Sequence, residues 1–158
     1  MAMRRADREV TDFSRMLEVV SACECCRIGL VDGNEAYIVP VNFGYEAFDG
    51  HLVLYFHGAT EGRKKELLEK QSVVSFEMDR THGLVPMDQA CGFSFRYECV
   101  MGKGSATLLT TLDGKAYGLQ KIMGHYTHKE VWDFDPAMFD ALFVVRLDVE
   151  DWSCKING

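Results

Sequence analysis

The 158-residue sequence lacks several patterns that would assign it to a common class of protein. No apolar run approaches the ~20 residues that a membrane-spanning helix needs, and the N-terminal segment leads into charge instead of an apolar signal-peptide core. There is no G-x-G-x-x-G motif and no regular strand–helix alternation, which counts against a Rossmann domain. No internal repeat or linker divides the chain. We therefore expect a single domain over residues 1–158, located in the cytoplasm and without a membrane partner.

The chain also lacks an excess of positive charge. Its formal net charge is −7, whereas non-specific nucleic-acid binding depends on cations that neutralise phosphates. Nucleic acid is therefore not an expected partner. A local basic cluster on an acidic protein indicates a small anionic ligand instead.

Six cysteines are present, but they lack the spacing of a zinc site. No second C-x-x-C or C-x-x-H pair accompanies the segment Cys23-Glu24-Cys25-Cys26. In the cytoplasm cysteines are kept reduced. We expect core or surface thiols and no metal ligand among them.

The hydrophobic patterns predict six strands and three main helices. The predicted helices cover 7–22, with Asp7 as N-cap, 61–70 and 112–126, and Asp135-Pro136 begins a further short helical turn. Pro40 lacks a ladder donor, which predicts an edge strand or a bulge, and 79–89 is predicted to be a loop that forms a site wall. Short antiparallel strands with glycine corners favour a closed or nearly closed barrel. The predicted strands cover 26–31, 36–45, 52–57, 72–78, 93–109 and 141–149.

One stretch contains an unusual cluster of cations. The strand over 52–57 runs into Gly58, a helix opens near Thr60, and its first turns contain Arg63, Lys64 and Lys65. Cations are disfavoured at a helix N-terminus, where anions are favoured. The cluster is therefore either an anion-binding site or a solvated basic face.

The order of four motifs resembles the FMN-binding split β-barrel, and more narrowly the pyridoxamine 5′-phosphate oxidase-related group that includes the nitroimidazole-resistance proteins. The motifs are Ala-Tyr-Ile-Val-Pro-Val-Asn-Phe-Gly over 36–44, Leu-Tyr-Phe-His-Gly-Ala over 54–59 with Gly62-Arg63-Lys64, the glycine-containing strand over 91–106, and Val-Val-Arg-Leu-Asp-Val over 144–149. This resemblance implies a mainly β (α+β) fold, a six-stranded antiparallel split β-barrel with flanking helices. It also implies a homodimer with one FMN per subunit near the interface.

The resemblance assigns two groups of residues to the flavin. The flavin phosphate would be held by His57, Gly58, Arg63 and Lys64, with Lys65 as a neighbour. The isoalloxazine edge would be lined by Pro40, Val41 and Asn42. The segment Trp152-Ser153-Cys154-Lys155 departs from the family pattern, and no counterpart of the pyridoxamine phosphate ligands is found.

Three functional hypotheses follow. The first is an FMN-dependent oxidoreductase that reduces a small acceptor, such as a nitroaromatic, with NAD(P)H as donor and His57 as the candidate catalytic residue. The second is a flavin-binding or storage protein without turnover. The third is a metal or haem site built from His125 and His128, with His82 and Cys91.

Overall fold

In a computed structural model, which describes residues 3–158, the chain folds into a curled antiparallel sheet flanked by helices. The strands are β1 (Glu9–Val10), β2 (Cys26–Asp32), β3 (Glu35–Val41), β4 (Phe43–Phe48), β5 (His51–Ala59), β6 (Val73–Val85), β7 (Ser94–Leu109) and β8 (Leu142–Asn157). The α-helices are α1 (Phe13–Ala22), α2 (Arg63–Leu68) and α3 (Leu112–Thr127). Short 3₁₀ helices cover Ala6–Arg8, Ala90–Gly92 and Pro136–Ala141.

The sheet has the order β3-β2-β6-β7-β8-β5-β4, and β1 adds to β8. Every strand pair is antiparallel, and the two end strands are consecutive in the chain. The mainly β fold, compatible with a split barrel, is therefore confirmed. The single strand expected over 36–45 is divided at Asn42, because the chain changes partner there: Val41 pairs with Cys26 on β2, whereas Phe43 pairs with Phe56 on β5.

Strand β5 has two apolar faces, which explains its unbroken hydrophobic sequence. Leu52, Leu54 and Phe56 point into the barrel core, and Val53 and Tyr55 pack on the outer side with α3. The outer cluster also contains Leu119, Ile122, Phe139 and Val144. The helix therefore covers one outer face of the sheet.

Two glycines allow α3 to lie close to the sheet. A Cβ on Gly44 would overlap the backbone of Lys121, and one on Gly118 would lie 2.6 Å from Val144 Cγ1. Any side chain at these positions would push the helix outward. The close approach fixes the C-terminal end of α3 behind the β3–β4 junction, where the Tyr126 hydroxyl accepts from the Phe43 N–H at 3.1 Å.

The N-terminal prediction was wrong in its boundary. Helix α1 begins at Phe13 with Asp12 as its cap, whose side chain accepts from the Arg15 N–H at 2.8 Å. Asp7 does not cap it, because Glu9 and Val10 are drawn into β1 beside the end of β8. A long-range pairing overrides the local helical pattern.

The loop predicted over 79–89 was also wrong for most of its length. Strand β6 continues to Val85 and pairs with β7, with a bulge between Thr81 and Gly83. Strand β8 likewise runs to Asn157, so that the departing segment around Trp152 is part of the sheet. Both extensions form because β7 is long enough to pair with β6 on one side and with β8 on the other.

Other local predictions are confirmed. Pro40 lies on β3, an end strand of the sheet, opposite Arg27, and the turn beginning at Pro136 is a 3₁₀ helix. The basic helix forms but is shorter than expected, since α2 spans only Arg63–Leu68. Within the part of the chain that the structure describes, no helix has the length and apolar character needed to cross a bilayer.

Candidate functional site

The two predicted segments meet at one end of the β4–β5 hairpin. Phe43 pairs with Phe56, so that Asn42, between β3 and β4, and His57, near the end of β5, occupy the adjoining positions. On the other side of β5, His57 pairs with Val144 and Gly58 with Phe143. The site is thus built where β3, β4, β5 and β8 come together.

The segment assigned to the isoalloxazine edge has an alternating exposure. Val41 is buried in the core, whereas Pro40 and Asn42 are exposed. Pro40 shares the uncovered outer face of the sheet with Ile38 and Arg27. The backbone of an end strand is free to bond a ligand there, because nothing in the sheet pairs with its outer edge.

His57 has a polar atom that the fold does not satisfy. Its Nδ1 is fully enclosed and has no hydrogen-bond partner within residues 3–158. Burial lowers the pKa of His57, and the nearby charge of Lys64 lowers it further. A buried nitrogen without a partner is costly, and native proteins contain few of them.

Lys64 lies beside it and is also incompletely paired. Its Nζ is 3.4 Å from the His57 carbonyl oxygen and 5.6 Å from the centre of the Phe143 ring. Burial lowers the pKa of Lys64, and no described carboxylate offsets that effect. A half-buried ammonium with only a long bond to a carbonyl favours a negative partner.

Gly58 makes room for this lysine. A Cβ on Gly58 would lie 2.8 Å from both Lys64 Cε and Phe143 Cζ. The absence of a side chain therefore lets the Lys64 side chain lie against the end of β5. This explains why small residues follow the strand.

The other two cations point elsewhere. Arg63 donates to the Asp32 carboxylate through Nε at 2.7 Å and through Nη2, and to Glu66 through Nη1 at 2.8 Å. Lys65 pairs with Glu69. The three predicted cations therefore do not converge, and the expected concentration of charge is reduced to Lys64.

Sequence reasoning missed the role of Asp32. The residue belongs to the β2–β3 hairpin, 31 positions before Arg63, and the sequence Asp32-Gly33-Asn34 around it is typical of a hairpin turn. The Arg63 guanidinium lowers the pKa of Asp32, so the pair stays charged at neutral pH. No local pattern could have indicated this contact.

Taken together, His57, Gly58 and Lys64 fit an anionic group. A neutral imidazole can donate one N–H and an ammonium can donate three, and bonds between such donors and phosphate or carboxylate oxygens are short and strong. A negative ligand beside Lys64 would offset its charge, and a ligand atom that reached the enclosed Nδ1 of His57 would supply the partner that this nitrogen lacks.

The four residues of the metal or haem hypothesis do not form one cluster: His125 and His128 line the same cavity, whereas His82 and Cys91 have other partners. His125 Nε2 is 2.8 Å from the Cys23 carbonyl oxygen, His82 lies 3.2 Å from Glu98, and Cys91 contacts Gln89. His128 ends α3 in the left-handed conformation. Across residues 3–158, no cluster of three or more His, Cys, Asp or Glu side chains could hold a metal ion.

Comparison with protein families decides the affiliation. The family model described as pyridoxamine 5′-phosphate oxidase matches residues 12–156. The chain belongs to this family. Among curated protein sequences, none matches the chain significantly.

Solved structures agree with this family assignment. A candidate 5-nitroimidazole antibiotic resistance protein from Bacteroides thetaiotaomicron is 29% identical, with a TM-score of 0.81 over 94% of this chain and 86% of its own. The flavocytochrome Anf3 from Azotobacter vinelandii is 22% identical, with a TM-score of 0.83 over 99% of this chain and 72% of its own. An FAD- and heme-binding protein from Mycobacterium smegmatis is 18% identical, with a TM-score of 0.81 over 95% of this chain and 73% of its own. The last two show a shared fold.

Proposed function

We propose that this member of the pyridoxamine 5′-phosphate oxidase family is a flavoprotein that binds FMN and reduces a small acceptor. The observation that carries the proposal is the unpartnered, enclosed Nδ1 of His57 beside the uncompensated ammonium of Lys64. This pair supplies what a terminal phosphate requires. Support from the comparisons is that two similar structures are a flavocytochrome and an FAD- and heme-binding protein.

In this proposal the phosphate end is held chiefly by His57 and Lys64, with Gly58 leaving them room. Arg63 and Lys65 belong to the assignment that the resemblance implies, but their present partners are carboxylates. Arg63 would have to exchange Asp32 for the phosphate to make a direct contact. We therefore rank Arg63 and Lys65 behind Lys64 as phosphate ligands.

The ring end would lie along Pro40, Val41 and Asn42, whose exposed outer edge leaves backbone groups free. A bound flavin supplies the redox chemistry itself, and the protein contributes binding, orientation and electrostatics. Lys64 places a positive charge at this end of β5, and His57 holds a neutral ring whose enclosed Nδ1 lacks a partner within residues 3–158. The acceptor we propose is a small molecule such as a nitroaromatic compound, and the electron donor is NAD(P)H.

We also propose a homodimer with the flavin near the subunit interface. Exposed apolar side chains lie on the β6–β7 hairpin, at Leu84, Met87, Phe93 and Phe95. Others lie on the uncovered outer face of the sheet, at Val31, Ile38 and Val73. Exposed apolar side chains grouped on one hairpin and on one sheet face are candidates for a contact with a protein partner.

Two measurements test the function. The purified protein, incubated with FMN and freed of excess ligand, is expected to show a flavin absorption spectrum; a colourless protein would contradict the proposal. Anaerobic addition of NADH or NADPH is then expected to bleach that spectrum, and a nitroaromatic acceptor is expected to restore it. Flavin that binds but is bleached by neither donor would indicate the storage function instead.

A further inference from the structure

A cavity of 620 Å³ lies between α3 and β4, apart from the residues assigned to the flavin. None of the eight residues that the resemblance assigns is in its lining. Its volume is in the range of about 300–1,000 Å³ that is typical of small-molecule sites. The residues that matter for its chemistry are Tyr45, Tyr117, Lys121, Gly124, His125 and His128.

Part of the cavity wall consists of aromatic rings. Tyr45 and Tyr117 contribute rings, and the His125 ring lies 5.8 Å from that of Tyr45 at an interplanar angle of 79°. The His125 ring is fixed because its Nε2 donates to the Cys23 carbonyl oxygen at 2.8 Å. Rigid rings arranged in this way suit a planar aromatic ligand through stacked and edge contacts.

At one end of the cavity, Tyr117 and Lys121 bind the carboxylate of Glu46, a residue of the protein itself. The Tyr117 hydroxyl donates to Glu46 Oε2 at 2.5 Å, and Lys121 Nζ lies 3.2 Å from the same oxygen. The Tyr55 hydroxyl donates to Oε1 at 2.7 Å. Burial opposes the charge of Glu46, but these three donors together lower its pKa, so the carboxylate is ionised.

Lys121 retains capacity for a second anion. Its ammonium has three N–H donors, of which Glu46 takes one, and Nζ also lies 5.1 Å from the centre of the Tyr117 ring. Glu46 divides its acceptor capacity between two tyrosines and this lysine. The ammonium is therefore the cation at the cavity wall that remains able to bind a ligand.

We propose that this cavity binds a small planar aromatic carboxylate, with its ring against Tyr45 and Tyr117 and its carboxylate at Lys121. The proposal is independent of flavin binding, because the two sites share no residue. Glu130 also lines the cavity and is exposed; as a like charge it weakens the binding of an anion without blocking the site.

A substitution at Gly124 can be used to fill the cavity. It lies within α3, and a Cβ built on it meets nothing nearer than the Lys129 carbonyl oxygen at 3.8 Å. Gly124→Leu therefore adds a side chain where there is free space. Leucine also favours the helix over glycine, so the variant is expected to fold.

The test titrates the purified full chain with 1-naphthoate and with its neutral analogue 1-naphthamide by isothermal calorimetry. We expect wild type to bind one naphthoate and to bind naphthamide roughly tenfold more weakly, since a hydrogen bond to a charged group is lost. Gly124→Leu should weaken naphthoate at least tenfold without lowering the melting temperature. Lys121→Met should weaken naphthoate about tenfold and leave naphthamide unchanged, while Lys103→Met, an exposed lysine on β7, serves as the matched control. Glu130→Gln should tighten naphthoate binding.

Three outcomes would overturn the proposal. The first is the absence of naphthoate binding to wild type. The second is equal naphthoate affinity in wild type and Gly124→Leu, which would locate the ligand elsewhere. The third is equal naphthoate affinity in Lys121→Met and Lys103→Met, which would exclude recognition of the carboxylate by Lys121 even if Gly124→Leu failed to fold.

Discussion

Replacing Lys64 by methionine should separate the stability of the protein from its affinity for FMN. In the ligand-free protein the ammonium is half-buried, its only polar contact among residues 3–158 is the His57 carbonyl oxygen at 3.4 Å, and burial lowers its pKa. Removing such a charge relieves a desolvation penalty. The free energy of unfolding of the apo protein should therefore stay the same or rise.

The affinity for FMN should change in the opposite direction. A hydrogen bond to a charged group contributes about 1.5–3 kcal/mol, which corresponds to a roughly 10- to 100-fold weaker Kd. Lys65→Met is the matched control one position along α2, because Lys65 is paired with Glu69. It removes the same formal charge and should change Kd by no more than about threefold, since the Lys65 ammonium is already paired and its partner Glu69 is exposed to solvent.

The assay combines thermal melting of the apo proteins with fluorescence titration by FMN. A lower melting temperature for Lys64→Met with an unchanged Kd would refute the reasoning, because it would make Lys64 a structural residue. Equal losses of affinity in Lys64→Met and Lys65→Met would refute it in another way. The anion would then respond to the general charge of α2 instead of to one positioned ammonium.

Other consequences of the structure can be tested in the same preparation. Gly44→Ala should lower the melting temperature by roughly 6–12 °C, since overlap with the α3 backbone costs about 3 kcal/mol; Gly29→Ala, whose Cβ meets nothing nearer than 3.7 Å, should have little effect, and equal melting of the two variants would contradict the packing argument. Burial and, to a lesser extent, Lys64 place the pKa of His57 below its unfolded value, so the unfolded chain binds more protons between the two values and stability is lost as pH falls below about 6.5. As pH is lowered through this range, the urea midpoint of unfolding should fall less steeply for His57→Gln than for wild type. Some pH dependence should remain in the variant, because burial also lowers the pKa of His125. The same pH dependence in both proteins would count against the buried state of His57. Phe95→Lys, on the exposed hairpin, should halve the mass measured by light scattering while leaving the circular dichroism spectrum unchanged, and an unaltered mass would argue against this surface as the dimer contact.

The elements that sequence patterns predicted well are those set by local chemistry. Pro40 lacks an N–H, which predicted an edge strand or a bulge, and its strand lies at the edge of the sheet. The apolar run over 52–57 indicated a strand, and the periodicity over 112–126 indicated α3. Each of these signals lies within a few residues of the feature that it predicts.

The features that could not be predicted depend on contacts distant in sequence. Asp7 and Asp12 are both acceptable helix caps, and only the pairing of Val10 with Cys154 decides between them. The partner of Arg63 is Asp32, on a hairpin that local patterns describe only as a turn. Lys64 and Lys65 are adjacent in sequence, yet one is left without a carboxylate and the other is paired. The cluster of three cations was visible in the sequence, but which of them pair with carboxylates of the fold was not.

The central claim, that His57 and Lys64 bind a phosphate at the end of β5, is tested most directly by comparing FMN with riboflavin. The two ligands share the same ring and differ by the phosphate alone. In calorimetric titrations of the apo protein, FMN should bind at least about 100-fold more tightly than riboflavin, because two charge-assisted bonds hold the phosphate. In Lys64→Met, this ratio of the two affinities should be smaller. Equal affinities for FMN and riboflavin, or binding of neither, would contradict the account.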